Sequence, residues 1–135
     1  MPNAFCHIEL STGDVAASKK FYRSLFKWKL QTMGKAMGGY TTIDVGEGVG
    51  GGMMTKMMPE QPTAWLPYVM VDDVKKTIAK ARKLGADVKV DYMEIPGGMG
   101  AFGVFVDPSG AGIGVWEAAK KARKPAKKKN KKNKK

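Results

Sequence analysis

The side chains best suited to chemistry are few, and the first of them lie together near the N-terminus. The chain has one cysteine, Cys6, next to its one histidine, His7. Residues 5–10 alternate in polarity as a β-strand does. Neighbouring strand residues point to opposite faces, so Cys6 and His7 are not expected to form a nucleophile–base pair. We expect Cys6 to be a buried, inert thiol, and His7 to be either a general base or a hydrogen-bonded strand residue.

The same residue counts exclude several kinds of site. One histidine and one cysteine cannot build a zinc site made only of these residues, nor an intramolecular disulfide. The glycine-rich residues 46–52 lack the Lys-Ser/Thr pair of a phosphate-binding loop. The apolar runs are too short to span a membrane, and the first residues do not resemble a secretory signal. A cytoplasmic protein is therefore expected.

Positive charge is concentrated at one end of the chain. The 135 residues carry 24 Lys+Arg and 12 Asp+Glu, a formal charge of +12. Residues 118–135 contain eleven basic residues and no acidic one, so residues 1–117 have a net charge of only +1. We expect this tail to be disordered, and either to contact nucleic acid or another polyanion without sequence specificity or to act as a solubilising extension. Its basic residues are Lys120, Lys121, Arg123, Lys124, Lys127, Lys128, Lys129, Lys131, Lys132, Lys134 and Lys135.

One pattern of predicted elements occurs twice in residues 1–117. Asp14 and Asp73 each follow a predicted strand and precede a helix of amphipathic pattern, where an aspartate is a good N-cap. Three short strands follow each helix. The sequence therefore predicts one α+β domain of two βαβββ modules. The domain comprises residues 1–117, module one residues 3–58, module two residues 64–117 and the tail residues 118–135.

Local sequences in this order resemble the vicinal oxygen chelate superfamily, which includes glyoxalases, bleomycin-resistance proteins and extradiol dioxygenases. The greatest likeness is to small two-module glyoxalase-like proteins of bacteria. This resemblance implies an open, cup-shaped mixed sheet around a binding site. The segments that carry it are His7-Ile8-Glu9-Leu10 with Asp14, Phe21-Tyr22 with Leu25-Phe26-Lys27-Trp28, Trp65-Leu66-Pro67-Tyr68-Val69 with Asp72-Asp73-Val74, Leu84-Gly85-Ala86, and Asp107-Pro108-Ser109-Gly110.

The resemblance also implies four inward positions, two per module, that commonly hold a divalent metal. His7 and Glu117 are suitable ligands at two of them, and both are our candidates for metal binding. Residues 53–58 offer no His, Asp or Glu, and Leu66 occupies the position equivalent to His7. Glu9 shares a strand face with His7, but nothing in the repeat marks it as a ligand. Because a catalytic metal usually needs about three protein ligands, we expect no cofactor, and a divalent metal stays the alternative.

His7 and Glu117 are also the candidate catalytic residues. A carboxylate beside a histidine fixes its tautomer and favours its action as a general base. The competing interpretation is that His7 is a hydrogen-bonded strand residue and Glu117 an exposed residue before the tail.

Methionines and aromatic residues suggest an adaptable apolar pocket, although ordinary core packing would explain each residue taken alone. The candidate ligand-binding residues are Trp28, Tyr40, Met53, Met54, Leu66, Tyr68, Phe102 and Trp116.

Three functions are compatible with these features. The first is a glyoxalase-like protein that binds a small organic molecule without a catalytic metal, as a binding protein or as an enzyme. The second is a metal-dependent lyase or isomerase, similar to lactoylglutathione lyase. The third is a protein that associates with nucleic acid through its tail. The resemblance also implies a homodimer.

Overall fold

The computed structural model describes residues 2–35 and 38–119, and these form the predicted βαβββ modules. The tail was predicted to be disordered, and from residue 120 onward it lies outside the described residues. Module one consists of β1 (Phe5–Thr12), α1 (Val15–Leu25), β2 (Lys29–Thr32), β3 (Thr41–Asp44) and β4 (Gly51–Thr55). Module two consists of β5 (Ala64–Met70), α2 (Val74–Lys83), β6 (Asp87–Glu94), β7 (Ala101–Val106) and β8 (Gly112–Glu117).

All eight strands belong to one sheet, in the order β2-β3-β4-β1-β5-β8-β7-β6. The first strands of the two modules, β1 and β5, pair antiparallel and join the modules. Within each module the first and last strands pair parallel, and the remaining neighbours pair antiparallel. The predicted α+β fold with an open mixed sheet is therefore confirmed.

Both helices cover the same face of this sheet. Leu10 of β1 lies in the core beneath α1, and its partner across β5, Trp65, contacts the ring of Tyr22 in α1. Six residues further on, Val71 packs with Ile78 of α2. Residues an even number apart on a strand share a face, so both helices lie on one side. The opposite side is called here the helix-free face.

Local capping chemistry places the helix ends. The Asp14 carboxylate accepts a hydrogen bond from the amide of Ala17 at 2.9 Å, and the Asp73 carboxylate accepts one from Lys76 at 3.0 Å. Both caps are those predicted, because the side chain of an N-cap aspartate satisfies amides that lack a partner in the first turn. Gly85 follows α2 with a φ of +101°, in the left-handed region that glycine adopts without strain.

The end of β1 differs from the predicted one. The alternating pattern predicted a strand over residues 5–10, but Ser11 and Thr12 continue β1 because they pair with Met54 and Thr55 of β4. Pairing partners supplied by a distant strand thus outweigh local turn preference.

The two helices contain eleven and ten residues. Within residues 2–35 and 38–119, no helix is long and apolar enough to cross a membrane.

Candidate functional site

Four polar side chains meet at the middle of the sheet and form the Glu9 cluster, which consists of His7, Glu9, Tyr40 and Tyr68. The Tyr40 hydroxyl donates to Oε2 of Glu9 at 2.8 Å. The Tyr68 hydroxyl donates to Oε1 of Glu9 at 3.2 Å. Nε2 of His7 lies 2.7 Å from the Tyr40 hydroxyl oxygen. Each carboxylate oxygen of Glu9 therefore has its own phenolic donor, and His7 is linked to Glu9 through Tyr40.

Strand alternation and two glycines place this cluster on the helix-free face. Glu9 pairs with Gly52 of β4, and a Cβ atom at Gly52 would overlap the Tyr40 hydroxyl. Tyr68 pairs with Gly114 of β8, and a Cβ atom there would overlap the Tyr68 ring. The rings therefore lie over glycines that leave their side of the sheet open. Val115, which follows Gly114, packs on the opposite side against α2.

Burial controls the protonation properties of the cluster. It raises the pKa of Glu9, although the hydrogen bonds from Tyr40 and Tyr68 act in the opposite direction. Burial also lowers the pKa of His7. For both tyrosines, burial and the nearby Glu9 carboxylate raise the pKa, so the phenols stay protonated donors. Glu9 can consequently act as a hydrogen-bond acceptor or as a base towards a bound molecule.

Apolar side chains extend the helix-free face beyond the Glu9 cluster. Leu66 pairs with Glu9 across β5, and Met54 follows Gly52 by two residues on β4. The Phe102 ring contacts the edge of the Tyr68 ring at 6.1 Å between centroids. Trp116 pairs with Phe102 and donates its indole N–H to the Met99 carbonyl at 2.9 Å. Six of the eight predicted ligand-binding residues thus lie on one face: Tyr40, Met54, Leu66, Tyr68, Phe102 and Trp116.

The other two predicted ligand-binding residues, Trp28 and Met53, lie on the helix-covered side. Met53 has 0% exposure and packs with Leu10 and Ile43. The Trp28 ring stacks on Tyr22 of α1 at 5.7 Å. Both side chains therefore belong to the core under α1, because strand parity directs Met53 away from the face of its neighbour Met54.

Glu117 does not join His7. The competing interpretation made it an exposed residue before the tail, but Glu117 is only 4% exposed, and its Oε1 accepts a hydrogen bond from the Val74 amide at 2.7 Å. A carboxylate at this helix start satisfies an amide and interacts favourably with the helix dipole. Glu117 follows Val115 by two residues, so it shares the helix-covered side, opposite to His7. The pairing of Glu117 with His7 is therefore not present.

Glu9 takes the position next to His7 that had been expected for Glu117. The sequence contained part of this signal, since His7 and Glu9 are two residues apart on one strand. The contacts of Glu9 with the two tyrosines could not be predicted, because Tyr40 and Tyr68 lie 31 and 59 residues away in the chain. Cys6 is half-buried, and burial raises the pKa of its thiol, as suits an unreactive cysteine.

The residues at the four positions implied for a metal do not fit a divalent ion. His7 is suitable, but Leu66 is apolar, residues 53–58 offer no His, Asp or Glu, and Glu117 caps α2 on the other side. Within the part of the chain that the structure describes, no three or more His, Cys, Asp or Glu side chains group as a metal site.

Known proteins resemble this chain in sequence and in fold. CFP32 of Mycobacterium tuberculosis (strain CDC 1551 / Oshkosh), a provisionally named glyoxylase, is 35% identical over 116 residues, which cover 82% of this chain and 44% of that protein. Anthracycline biosynthesis protein DauV of Streptomyces sp. (strain C5) is 29% identical over 134 residues, covering 85% of this chain and 47% of that protein. The chain spans less than half the length of these curated relatives.

A solved structure shows the same fold. Methylmalonyl-CoA epimerase from Mycobacterium tuberculosis superimposes with a TM-score of 0.62 at 14% sequence identity, covering 88% of this chain and 90% of that one. The family model described as the Glyoxalase/Bleomycin resistance protein/Dioxygenase superfamily matches residues 4–115. With the paired βαβββ modules, this match confirms the resemblance inferred from sequence: the chain belongs to the glyoxalase/bleomycin resistance protein/dioxygenase superfamily.

Proposed function

We propose that this protein binds a small organic molecule on the helix-free face, with Glu9 as its polar anchor and without a metal. The observation that carries the proposal is the half-buried Glu9 carboxylate, held by Tyr40 and Tyr68 beside the apolar residue Leu66. Burying a carboxylate opposes folding, as the raised pKa of Glu9 reflects. Perturbed carboxyl groups of this kind concentrate at functional sites.

The chemistry of Glu9 favours a ligand that carries a hydrogen-bond donor or an acidic proton. Each carboxylate oxygen can accept two hydrogen bonds, and the tyrosines use one on each oxygen. Leu66 and Phe102 favour an apolar or aromatic body beside that donor. The relationship to an anthracycline biosynthesis protein supports a flat aromatic ligand with hydroxyl groups, since anthracyclines are compounds of this class.

A matched pair of probes tests this proposal. 2-Naphthol and 2-methylnaphthalene have nearly the same shape, but only 2-naphthol can donate to Glu9. We expect 2-naphthol to bind about tenfold more tightly or better, because a hydrogen bond to a charged group contributes about 1.5–3 kcal/mol. In Glu9→Leu the two affinities should become equal. NMR of the methionine methyl groups should show the Met54 signal moving while the Met53 signal, in the core, stays in place.

A pair of leucine variants tests the location of the ligand. Leu66→Lys places a charge beside Glu9 and should remove 2-naphthol binding. Leu84→Lys makes the same change at a residue that is 69% exposed, at the end of α2, and should leave the affinity unchanged. Equal losses in both variants, or no loss in Leu66→Lys, would contradict the proposed face.

Metal analysis separates this function from a metal-dependent lyase or isomerase. The purified protein should contain no stoichiometric metal, and calorimetry with Ni²⁺, Zn²⁺ and Mn²⁺ should detect no tight binding to residues 1–117. Tight binding of one ion per chain, lost in His7→Gln, would overturn the metal-free proposal.

A further inference from the structure

We propose that His7, Tyr40 and Glu9 form a proton relay, in which a proton moves between the Glu9 carboxylate and the imidazole of His7 through the Tyr40 hydroxyl. The relay deepens the proposed function and rests on it for the position of the ligand at Glu9. It would allow Glu9 to exchange a proton with a bound organic acid, such as an aromatic molecule with an acidic O–H or C–H group.

The directions of the hydrogen bonds define the first state of the relay. The hydroxyl of Tyr40 has one proton, which it donates to Oε2 of Glu9 at 2.8 Å. The 2.7 Å contact between Tyr40 and Nε2 of His7 then requires that Nε2 carry a proton and donate it. The neutral imidazole is therefore protonated at Nε2, and Nδ1 has a free lone pair.

The second state follows when one proton is added at Nδ1. The Nε2 proton passes to the Tyr40 oxygen as the Tyr40 proton passes to Oε2 of Glu9. The imidazole is then neutral again, now protonated at Nδ1, and Nε2 accepts a hydrogen bond from Tyr40. Glu9 has become a carboxylic acid that donates to Tyr40. One proton has entered at Nδ1 and one has appeared on Glu9, so atoms and charge balance.

Burial changes the proton affinities at both ends of this hydrogen-bonded chain, and it changes them in opposite directions. Burial raises the pKa of Glu9 and lowers that of His7, which both favour protonation of Glu9. The phenols of Tyr40 and Tyr68 face Glu9, and the rings of the same two tyrosines contact His7. Tyr68 holds the second oxygen of Glu9 in either state. Glu9 is thus the residue that touches the ligand, and Tyr40 and His7 are positioning residues that return it to its starting state.

A single histidine makes the relay directly measurable without any ligand. In protein labelled with ¹⁵N in histidine, all ring signals come from His7. As the pH is lowered, we expect the neutral ring to change from the Nε2–H tautomer to the Nδ1–H tautomer before any imidazolium forms. A ¹³C label in the glutamate carboxyl groups should show Glu9 taking up its proton over the same pH range.

Three variants separate a relay from a simple hydrogen bond. Tyr40→Phe removes the connecting hydroxyl but keeps the ring over Gly52, so the tautomer change should disappear and the ring should become imidazolium directly. Glu9→Gln removes the proton acceptor and should have the same effect. Tyr68→Phe leaves the three-residue chain intact and should retain the tautomer change.

Two outcomes would overturn the relay. One is a wild-type ring that becomes imidazolium while Nε2 keeps its proton throughout. The other is a tautomer change that persists in Tyr40→Phe. Because the experiment contains no ligand, its failure leaves the 2-naphthol measurements intact, and failure of 2-naphthol binding leaves the tautomer result intact. The two proposals are therefore tested separately.

Discussion

Glu9 and Glu117 show how the same side chain serves two purposes in one sheet. On the helix-covered side, Glu117 accepts the Val74 amide at the start of α2 and stabilises the helix. On the helix-free face, Glu9 accepts hydrogen bonds from Tyr40 and Tyr68, and its pKa is raised by burial. Of these two glutamates, Glu9 is the one held by side-chain donors on the helix-free face, so it is the one we consider for chemistry.

The lowered pKa of His7 has a consequence for stability. Its ordinary value is 6.5, and burial moves the value in the folded protein below that. As the pH falls through the range between these two values, His7 is protonated in the unfolded chain but not in the folded protein, so its contribution lowers stability. Above pH 6.5 this loss is absent.

We expect His7→Gln to remove this contribution. Relative to the variant, the wild-type protein should lose up to about 1.4 kcal/mol of unfolding free energy per pH unit in that range. Urea unfolding at pH 7.5, 6.5, 5.5 and 5.0 measures the difference. A difference that stays constant over these pH values would contradict the prediction.

At the scale of the elements, the site depends on strands that carry side chains on one face and glycine where a ring must lie. Strand β1 places His7 and Glu9 on the helix-free face by its two-residue period. Strands β4 and β8 contribute Gly52 and Gly114, which accommodate the rings of two tyrosines from other elements. The glycines therefore leave the space in which the Tyr40 and Tyr68 rings lie.

Gly52→Ala tests this role. The added methyl group would occupy the space of the Tyr40 hydroxyl, so we expect a loss of stability on the order of 1–3 kcal/mol and loss of the contact between Tyr40 and Glu9. The control is Gly34→Ala, at a glycine with no atom within 4 Å of the added position. Thermal unfolding and the His7 ring signals report the two effects. Equal stability of the two variants would show that Gly52 does not restrict the tyrosine.

At the scale of the whole molecule, the site lies where the two modules join. β1 and β5 pair along the junction, so His7 and Glu9 of module one lie beside Tyr68 of module two. Neither module alone supplies both donors to Glu9. The joined sheet is therefore a requirement of the site as well as of the fold.

The distribution of charge over the chain leads to a separate prediction. Residues 1–117 have a net charge of +1, whereas the tail has eleven basic residues. We expect removal of residues 118–135 to abolish retention on double-stranded DNA and heparin, because the tail provides the charges that release counterions. Elution over a salt series, with the full chain as reference, is the measurement. Equal retention of the truncated protein would place the polyanion-binding surface within residues 1–117.

The sequence by itself determined the elements, the caps at Asp14 and Asp73, and the repeated modules. These features depend on local periodicity and on hydrogen bonds between residues three positions apart, which are readable along the chain. The two-residue period of β1 also placed His7 and Glu9 on one face. Local signals therefore predicted the fold and part of the candidate site.

Only the tertiary structure decided which carboxylate accompanies His7. Glu117 and Glu9 are equally suitable by residue type, and the packing of α2 on β8 commits Glu117 to the Val74 amide. Tyr40 and Tyr68 reach Glu9 from 31 and 59 residues away. The physical reason is that strand pairing and helix packing between distant segments determine which polar groups meet, and local sequence patterns contain no information on that pairing.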